Sequence, residues 1–202
     1  MSVIRRELIK DTINKAYRYE LGYNDRHEFR QKIILADKSL TEDEKTEAIR
    51  QLNETYDKDK LRYNEGTKRI CENCQLKCIA TYFCEHCVRN YLKSNFSKWT
   101  SGNDNIDNSI QKYQSKLLLP NLVVEWVPYN RLKNIKYLTR GGCSEIYSAD
   151  CIDGSYDKWD PKEHQLKRFG AQKVIFKVLE NVENANQSWF EEVCNFIIKR
   201  LF

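Results

Sequence analysis

Cys71-Glu72-Asn73-Cys74 and Cys84-Glu85-His86-Cys87 are two Cys-x-x-Cys pairs with nine residues between them. Two residues between thiolates let one tight turn aim both sulfurs at a single cation, with backbone amides left to bond the sulfurs. Two such turns complete a tetrahedron of four thiolates with no position open to water, so the site is structural. Zinc suits reduced thiolates and brings no redox chemistry of its own. The competing reading is four buried or redox-active thiols. Cys78 and His86 are surplus donors. His86 lies inside the second pair and is expected beside the metal or on the surface, while Cys78 could replace a neighbouring ligand. The middle of the chain thus reads as a small ribbon stapled by zinc through Cys71, Cys74, Cys84 and Cys87.

Composition sets the frame around that ribbon. The 202 residues suffice for one domain or two and can bury a real core. Charged residues make up 31%, yet the formal net charge is only +5. Residues 1–70 hold 16 Lys plus Arg against 14 Asp plus Glu. That near-balance describes a solvated surface, not the one-sided basic stripe that neutralises phosphates. Four thiolates around a dication would lower the net charge further, to +3. Charge therefore gives nucleic-acid binding no support, although small zinc ribbons can serve that role and it stays as an alternative. Arg5, Arg6, Glu7 and Lys10 interrupt the N-terminus before an apolar run of signal length forms. No stretch approaches the roughly 20 apolar residues of a membrane helix. The expectation is no membrane partner and a cytoplasmic or nuclear location. Thiols stay reduced there, which favours metal ligands or buried thiols over disulfides for the eight cysteines.

Upstream of the ribbon, residues 1–66 read as helical. Ile4, Leu8, Ile13, Tyr17 and Leu21 recur at helical spacing, as do Phe29 and Ile33 after a break at Gly22. Thr41-Glu42-Asp43-Glu44 has the form of a capping box. The helix it starts carries Ile49, Leu52, Tyr56 and Tyr63 along one stripe and ends near Gly66. Ordinary packing of antiparallel helices explains this stripe; a partner-binding coiled coil is the alternative. After the cysteines a helix shows Tyr91, Leu92, Phe96 and Trp99 on one face and stops at Ser101-Gly102-Asn103. The predicted organisation is α+β: a helical region at 1–66, the ribbon and following helix at 67–102, a linker at 103–122, and strands from 123 to 202. A closing helix is predicted from about Asn186.

Leu138-Thr139-Arg140-Gly141-Gly142-Cys143-Ser144-Glu145-Ile146-Tyr147 reads as a glycine loop between two strands. Val174-Ile175-Phe176-Lys177 reads as a third strand, and Trp189-Phe190-Glu191-Glu192-Val193 opens a helix. This is the order of glycine loop, phosphate lysine and partner glutamate at the start of a protein-kinase domain. Glycines there let backbone amides approach nucleotide phosphates. The three glycine positions fall on Thr139, Gly141 and Ser144, with Gly142 in addition, so the loop alone is no more than a glycine hairpin. The conjunction is more specific. Ile146 takes the apolar position that covers adenine, Lys177 lies on a following strand, and Glu192 lies 15 residues further on. The candidate nucleotide-binding set is Gly141, Gly142, Ser144, Ile146, Lys177 and Glu192. Strand alternation puts Ile175 on the face of Lys177, where kinases carry a small alanine. Crowding of this kind costs about 1–3 kcal/mol, a roughly ten- to hundred-fold loss of ATP affinity.

With these residues the chain resembles a large family of tyrosine-kinase-like protein kinases expanded in arbuscular mycorrhizal fungi. The resemblance covers Ala36-Asp37 with Ser39-Leu40-Thr41, Tyr63 to Lys68, and Cys71 to Cys87. It continues through Asn95-Phe96, Trp99 to Asn103, and Glu125-Trp126-Val127-Pro128-Tyr129. Trp159-Asp160 and Leu166-Lys167-Arg168 fall in the family's long connection between the second and third strands. It implies that residues 123–202 form part of a kinase N-lobe, antiparallel strands plus the C helix, in which Lys177 holds the α- and β-phosphates and Glu192 fixes Lys177. The activity it implies is transfer of the ATP γ-phosphate to a protein hydroxyl. Yet the catalytic-loop aspartate and asparagine and the magnesium-binding aspartate have no counterpart in these 202 residues. The expectation is a kinase-like chain with weak or absent ATP binding and no phosphotransfer alone. Its alternatives are a zinc-stapled module that binds a protein partner and a nucleic-acid-binding zinc ribbon.

Overall fold

The computed structural model describes residues 4–17, 25–141 and 144–179. Among them are five α-helices and small sheets, a mixed α+β architecture. The chain divides into two compact units.

The first unit is Met1–Arg69 together with Ile79–Tyr82. It contains α1 (Arg6–Tyr17), α2 (Asp25–Ala36) and α3 (Glu42–Tyr63), each packed on the other two. The Thr41 hydroxyl caps α3 by accepting from the Glu44 amide, while the Glu44 carboxylate accepts from the Thr41 amide. This is the expected capping box. Glu44 also takes the Arg5 guanidinium at 2.6 Å, which ties the start of α1 to the start of α3. Asn64 ends α3 in the left-handed conformation, and Gly66 follows with φ +97°. The core is Ile9, Ile34, Leu40, Ala48 and Leu52.

The helical spacing is correct: of the expected stripe, Leu52 lies in the core and Leu8, Ile13 and Ile49 pack against it, while residues at the ends of the stripe do not. In α1 the buried residues are Ile9, Thr12 and Ala16, while Ile4 and Tyr17 are exposed. In α3 they include Ala48 and Leu52 with the polar residues Asp57 and Lys60, and Tyr63 is exposed. The core nevertheless centres on the larger residues Ile9, Ile34, Leu40 and Leu52, with Ala48 among them. Tyr17 lies instead beneath the Arg30 guanidinium, 3.8 Å from the ring centre. Leu21 and Gly22 lie outside the described residues.

The second unit is Ile70–Cys78 and Phe83–Phe202. It holds the ribbon strand β2 (Lys77–Cys78), which pairs with β1 (Arg69–Ile70), then α4 (Glu85–Ser94) and α5 (Asp104–Ser115). The stretch expected as a linker therefore carries a helix, capped by Asn103 and anchored by buried Ile110. β3 (Leu132–Gly141), β4 (Ser144–Cys151) and β7 (Gln172–Leu179) form a three-stranded sheet in the order β3-β4-β7. Both of its pairings are antiparallel. Between β4 and β7 the chain makes a separate hairpin, β5 (Tyr156–Asp160) and β6 (Gln165–Arg168). The helix predicted from Asn186 lies outside the described residues.

Candidate metal centre and lysine strand

Two backbone devices aim the four sulfurs. In the first, the Cys71 amide donates to the Leu76 carbonyl at 2.9 Å and the Cys71 carbonyl accepts from Gln75 at 2.9 Å. Gln75 turns the chain with φ +57°. In the second, Cys84 is the N-cap of α4 and Cys87 sits in its first turn. The positive end of the helix then lies beside both thiols.

The sulfurs meet. Cys71 and Cys87 Sγ are 3.6 Å apart, as are Cys74 and Cys84 Sγ. All four lie within 4.8 Å of one another. A tetrahedral zinc with bonds of ~2.3 Å requires sulfurs ~3.8 Å apart, so the spacing fits the ion. Cys71, Cys84 and Cys87 are buried and Cys74 is half-buried, which closes the site to solvent. Asn73 Nδ2 lies 3.5 Å from Cys87 Sγ, a donor placed to stabilise a thiolate.

The thiols are electrostatically unequal. Burial opposes ionisation of Cys71, but the amides of Cys74 and Asn73 and the neighbouring thiols outweigh it and bring its pKa down to about 7. Burial pushes Cys87 up to about 11. It raises Cys84 as well, and the Cys74 and Cys71 thiols add to that. Four thiolates this close repel one another, and a dication is the natural counter-charge.

The two surplus donors differ in how near they come to the tetrad. His86 Nε2 donates to the Lys77 carbonyl at 3.1 Å, and its Nδ1 accepts from Arg89 at 3.0 Å. Both ring nitrogens are engaged away from the tetrad. Cys78 is fully buried and lies within 4.8 Å of Cys84 of the tetrad and of Glu85, outside the group of four.

The sulfur cluster sits in an apolar setting built with Val88 and Leu92 of α4 and with Trp159 and Leu166 of the β5–β6 hairpin. The Tyr91 ring meets Trp159 edge-on at 6.0 Å between centroids. Spacing in the sequence reveals the four clustered cysteines but not that Trp159 and Leu166 pack against them. In the sequence they stand out only as apolar residues in a polar stretch and as part of the family resemblance, and in the structure they pair directly across the hairpin.

The sheet brings together part of the candidate nucleotide set. Gly141 pairs with Ser144 at the end of the β3–β4 hairpin. Ile146 lies opposite Lys177, and Ser148 opposite Ile175. Directly opposed residues share a face, so Ile146, Ile175 and Lys177 lie on one side of the sheet. Ile175 is 70% exposed there. The other face carries a cross-strand row of Tyr137, Tyr147 and Phe176, with neighbouring centroids 5.6 Å apart. Gly142 and Glu192 lie outside the described residues.

Among the described residues no helix is long and apolar enough to cross a membrane. No protein-family model, curated protein or solved structure matches the chain.

Proposed function

We propose that the chain is a zinc-stapled protein-interaction module joined to a protein-kinase-like nucleotide lobe, with one structural zinc held by Cys71, Cys74, Cys84 and Cys87. The observation that carries the zinc reading is the pair of 3.6 Å sulfur separations inside a closed four-thiol cluster. Bound there, the ion supplies a fixed crosslink among four chain positions, and its binding free energy is folding free energy. Elemental analysis of the purified protein should find one zinc per chain, and cobalt should replace it with thiolate-to-cobalt charge-transfer bands. Less than half an equivalent of zinc, with Cys74→Ala as stable as the parent, overturns this reading.

The kinase-like reading is supported by the register that sets Ile146 across from Lys177 with Ile175 on the same face. On that reading Lys177 contacts nucleotide phosphates and Ile175 crowds the base. ATP should bind more weakly than about millimolar, and Ile175→Ala should tighten it roughly ten-fold or more. Calorimetry giving micromolar affinity for the parent contradicts the crowding argument. Phosphoryl transfer needs a residue to orient the nucleophile and carboxylates to hold magnesium, in addition to a lysine. This polypeptide should therefore incorporate no more radiolabelled phosphate into acceptor proteins than Lys177→Ala does, and incorporation well above that variant refutes the prediction.

A further inference from the structure

The β5–β6 hairpin has one end in the cysteine cluster and the other at the first residue of the strand that carries Lys177. We propose that it makes the metal centre a conformational support for that strand, so that loss of the ion loosens β7 as well as the ribbon. The inference rests on the zinc reading above.

At the far end of the hairpin, Trp159 and Leu166 face one another across the strands and are only 8% and 5% exposed. Both are buried among Cys71, Cys78, Cys84, Cys87, Val88 and Leu92. At the near end, the Ser155 amide and hydroxyl both donate to Gln172 Oε1 at 3.1 Å. Gln172 is the first residue of β7 and pairs with Cys151 of β4. The Phe169 amide donates to the Ser155 carbonyl at 3.0 Å, and Arg168 Nη1 donates to the Gly154 carbonyl at 2.7 Å. The two chain segments approach so closely here that a Cβ on Gly154 would lie 1.9 Å from the Gly170 carbonyl oxygen. The base of the hairpin has no slack.

A two-stranded hairpin is marginally stable by itself. The far end of this one packs against a cluster half made of cysteines. The hairpin also meets the turn at Pro120–Leu122 and carries an ion pair from Arg168 to Glu125. The four sulfurs come from two separated chain segments and lie within 4.8 Å of one another, so an ion held there crosslinks the segments and its binding free energy supports the packing of the cluster. Losing the ion unpacks Trp159 and Leu166, frees the hairpin and removes the tie on Gln172. β7 has β4 as its only partner in the described sheet, which makes its order sensitive to that tie.

The experiment is amide hydrogen exchange by mass spectrometry on the full chain, with zinc bound and after chelation. Chelation should speed exchange about tenfold or more in residues 156–168 and 172–179, as well as in the ribbon. Trp159→Ala should retain one zinc yet show fast exchange in the same two segments with zinc present. If zinc binds but chelation speeds exchange only within 70–94, the support role is wrong and the zinc reading stands. If β7 in Trp159→Ala stays as protected as in the parent, the hairpin is not the route. A chain that binds no zinc overturns both readings. The chelation arm needs no substitution, so it decides the matter even where the variant does not fold.

Discussion

Replacing Asp57 with alanine should cost the helical unit about 3–5 kcal/mol, the magnitude for removing one partner of a buried ion pair. Asp57 is 1% exposed and Lys60 is 6% exposed. Their charged groups are 2.8 Å apart. The carboxylate also accepts from the Thr81 amide at 2.6 Å and the Thr81 hydroxyl at 2.7 Å. The ammonium donates to the Ile79 carbonyl at 3.0 Å and to the Thr81 hydroxyl at 3.2 Å. Both charges thus clamp one turn of α3 onto the segment that links the two cysteine pairs in sequence. Alanine at 57 leaves the ammonium buried beside neutral acceptors and strips two donors of Thr81 of their partner. A unit of this size holds about 5–10 kcal/mol of stability in all, so roughly half of it is at stake. Urea unfolding followed by helical circular dichroism should show the midpoint fall by about 2 M or more.

A double-mutant cycle separates this account from a general loss of packing. Lys60→Met keeps the apolar stem and removes the charge. If the two groups hold each other, Asp57→Ala combined with Lys60→Met should cost clearly less than the sum of the single changes, with a coupling of about 1–3 kcal/mol. The coupling should survive high salt, since buried pairs are little screened. Additive costs, or a single Asp57→Ala cost under about 1 kcal/mol, would refute the clamp.

Other outcomes follow from single contacts. Gly154→Ala should destabilise far more than Gly102→Ala, by thermal melting. Both glycines have positive φ, but only Gly154 would press a Cβ against a backbone oxygen, while Gly102 has open space around it. Equal shifts would show that the strand ends at Gly154 can part freely. The Lys167 ammonium, with the amides of Glu163 and Lys162, holds the Asp160 carboxyl down to about 2. Its contribution is therefore complete above about pH 4, the ordinary carboxyl value, and is lost as pH falls toward 2. Carboxyl NMR should find the Asp160 midpoint near 2 in the parent and higher in Lys167→Met; an unchanged midpoint would show that the amides alone hold it. His86→Ala and Cys78→Ala should each keep one zinc per chain by elemental analysis, and loss of the metal in either variant would place that residue among the ligands.

How legible the chain was depended on how far apart the interacting residues lie. The cysteine tetrad and the Thr41–Glu44 cap each rest on residues within a few positions of one another, where spacing dictates geometry, and both assembled as expected. The β3–β4 pairing was legible for the same reason, since its two strands are close in sequence and pair outward from Gly141 with Ser144. The α1 stripe was harder, because helical period alone does not say which neighbouring line of side chains faces inward. Ile9, Thr12 and Ala16 are the residues buried in α1, and which line faces inward is set only once α2 and α3 are packed on it. Asp57 and Lys60 read as ordinary surface charges of a solvated helix; nothing local shows that the backbone of Ile79 and Thr81 will come to satisfy them. Trp159 and Leu166 are the furthest case. In sequence they belong to a polar connection between two strands, and in the fold they complete the core around cysteines more than 70 residues earlier. A large aromatic in a largely charged hairpin has too little local partner surface to bury itself, yet its burial is not legible from that alone, since Phe169 just past the hairpin is 59% exposed. Neither the burial of Trp159 nor its receptor is legible locally, because cysteine side chains read first as ligands and only in the folded cluster as a hydrophobic floor.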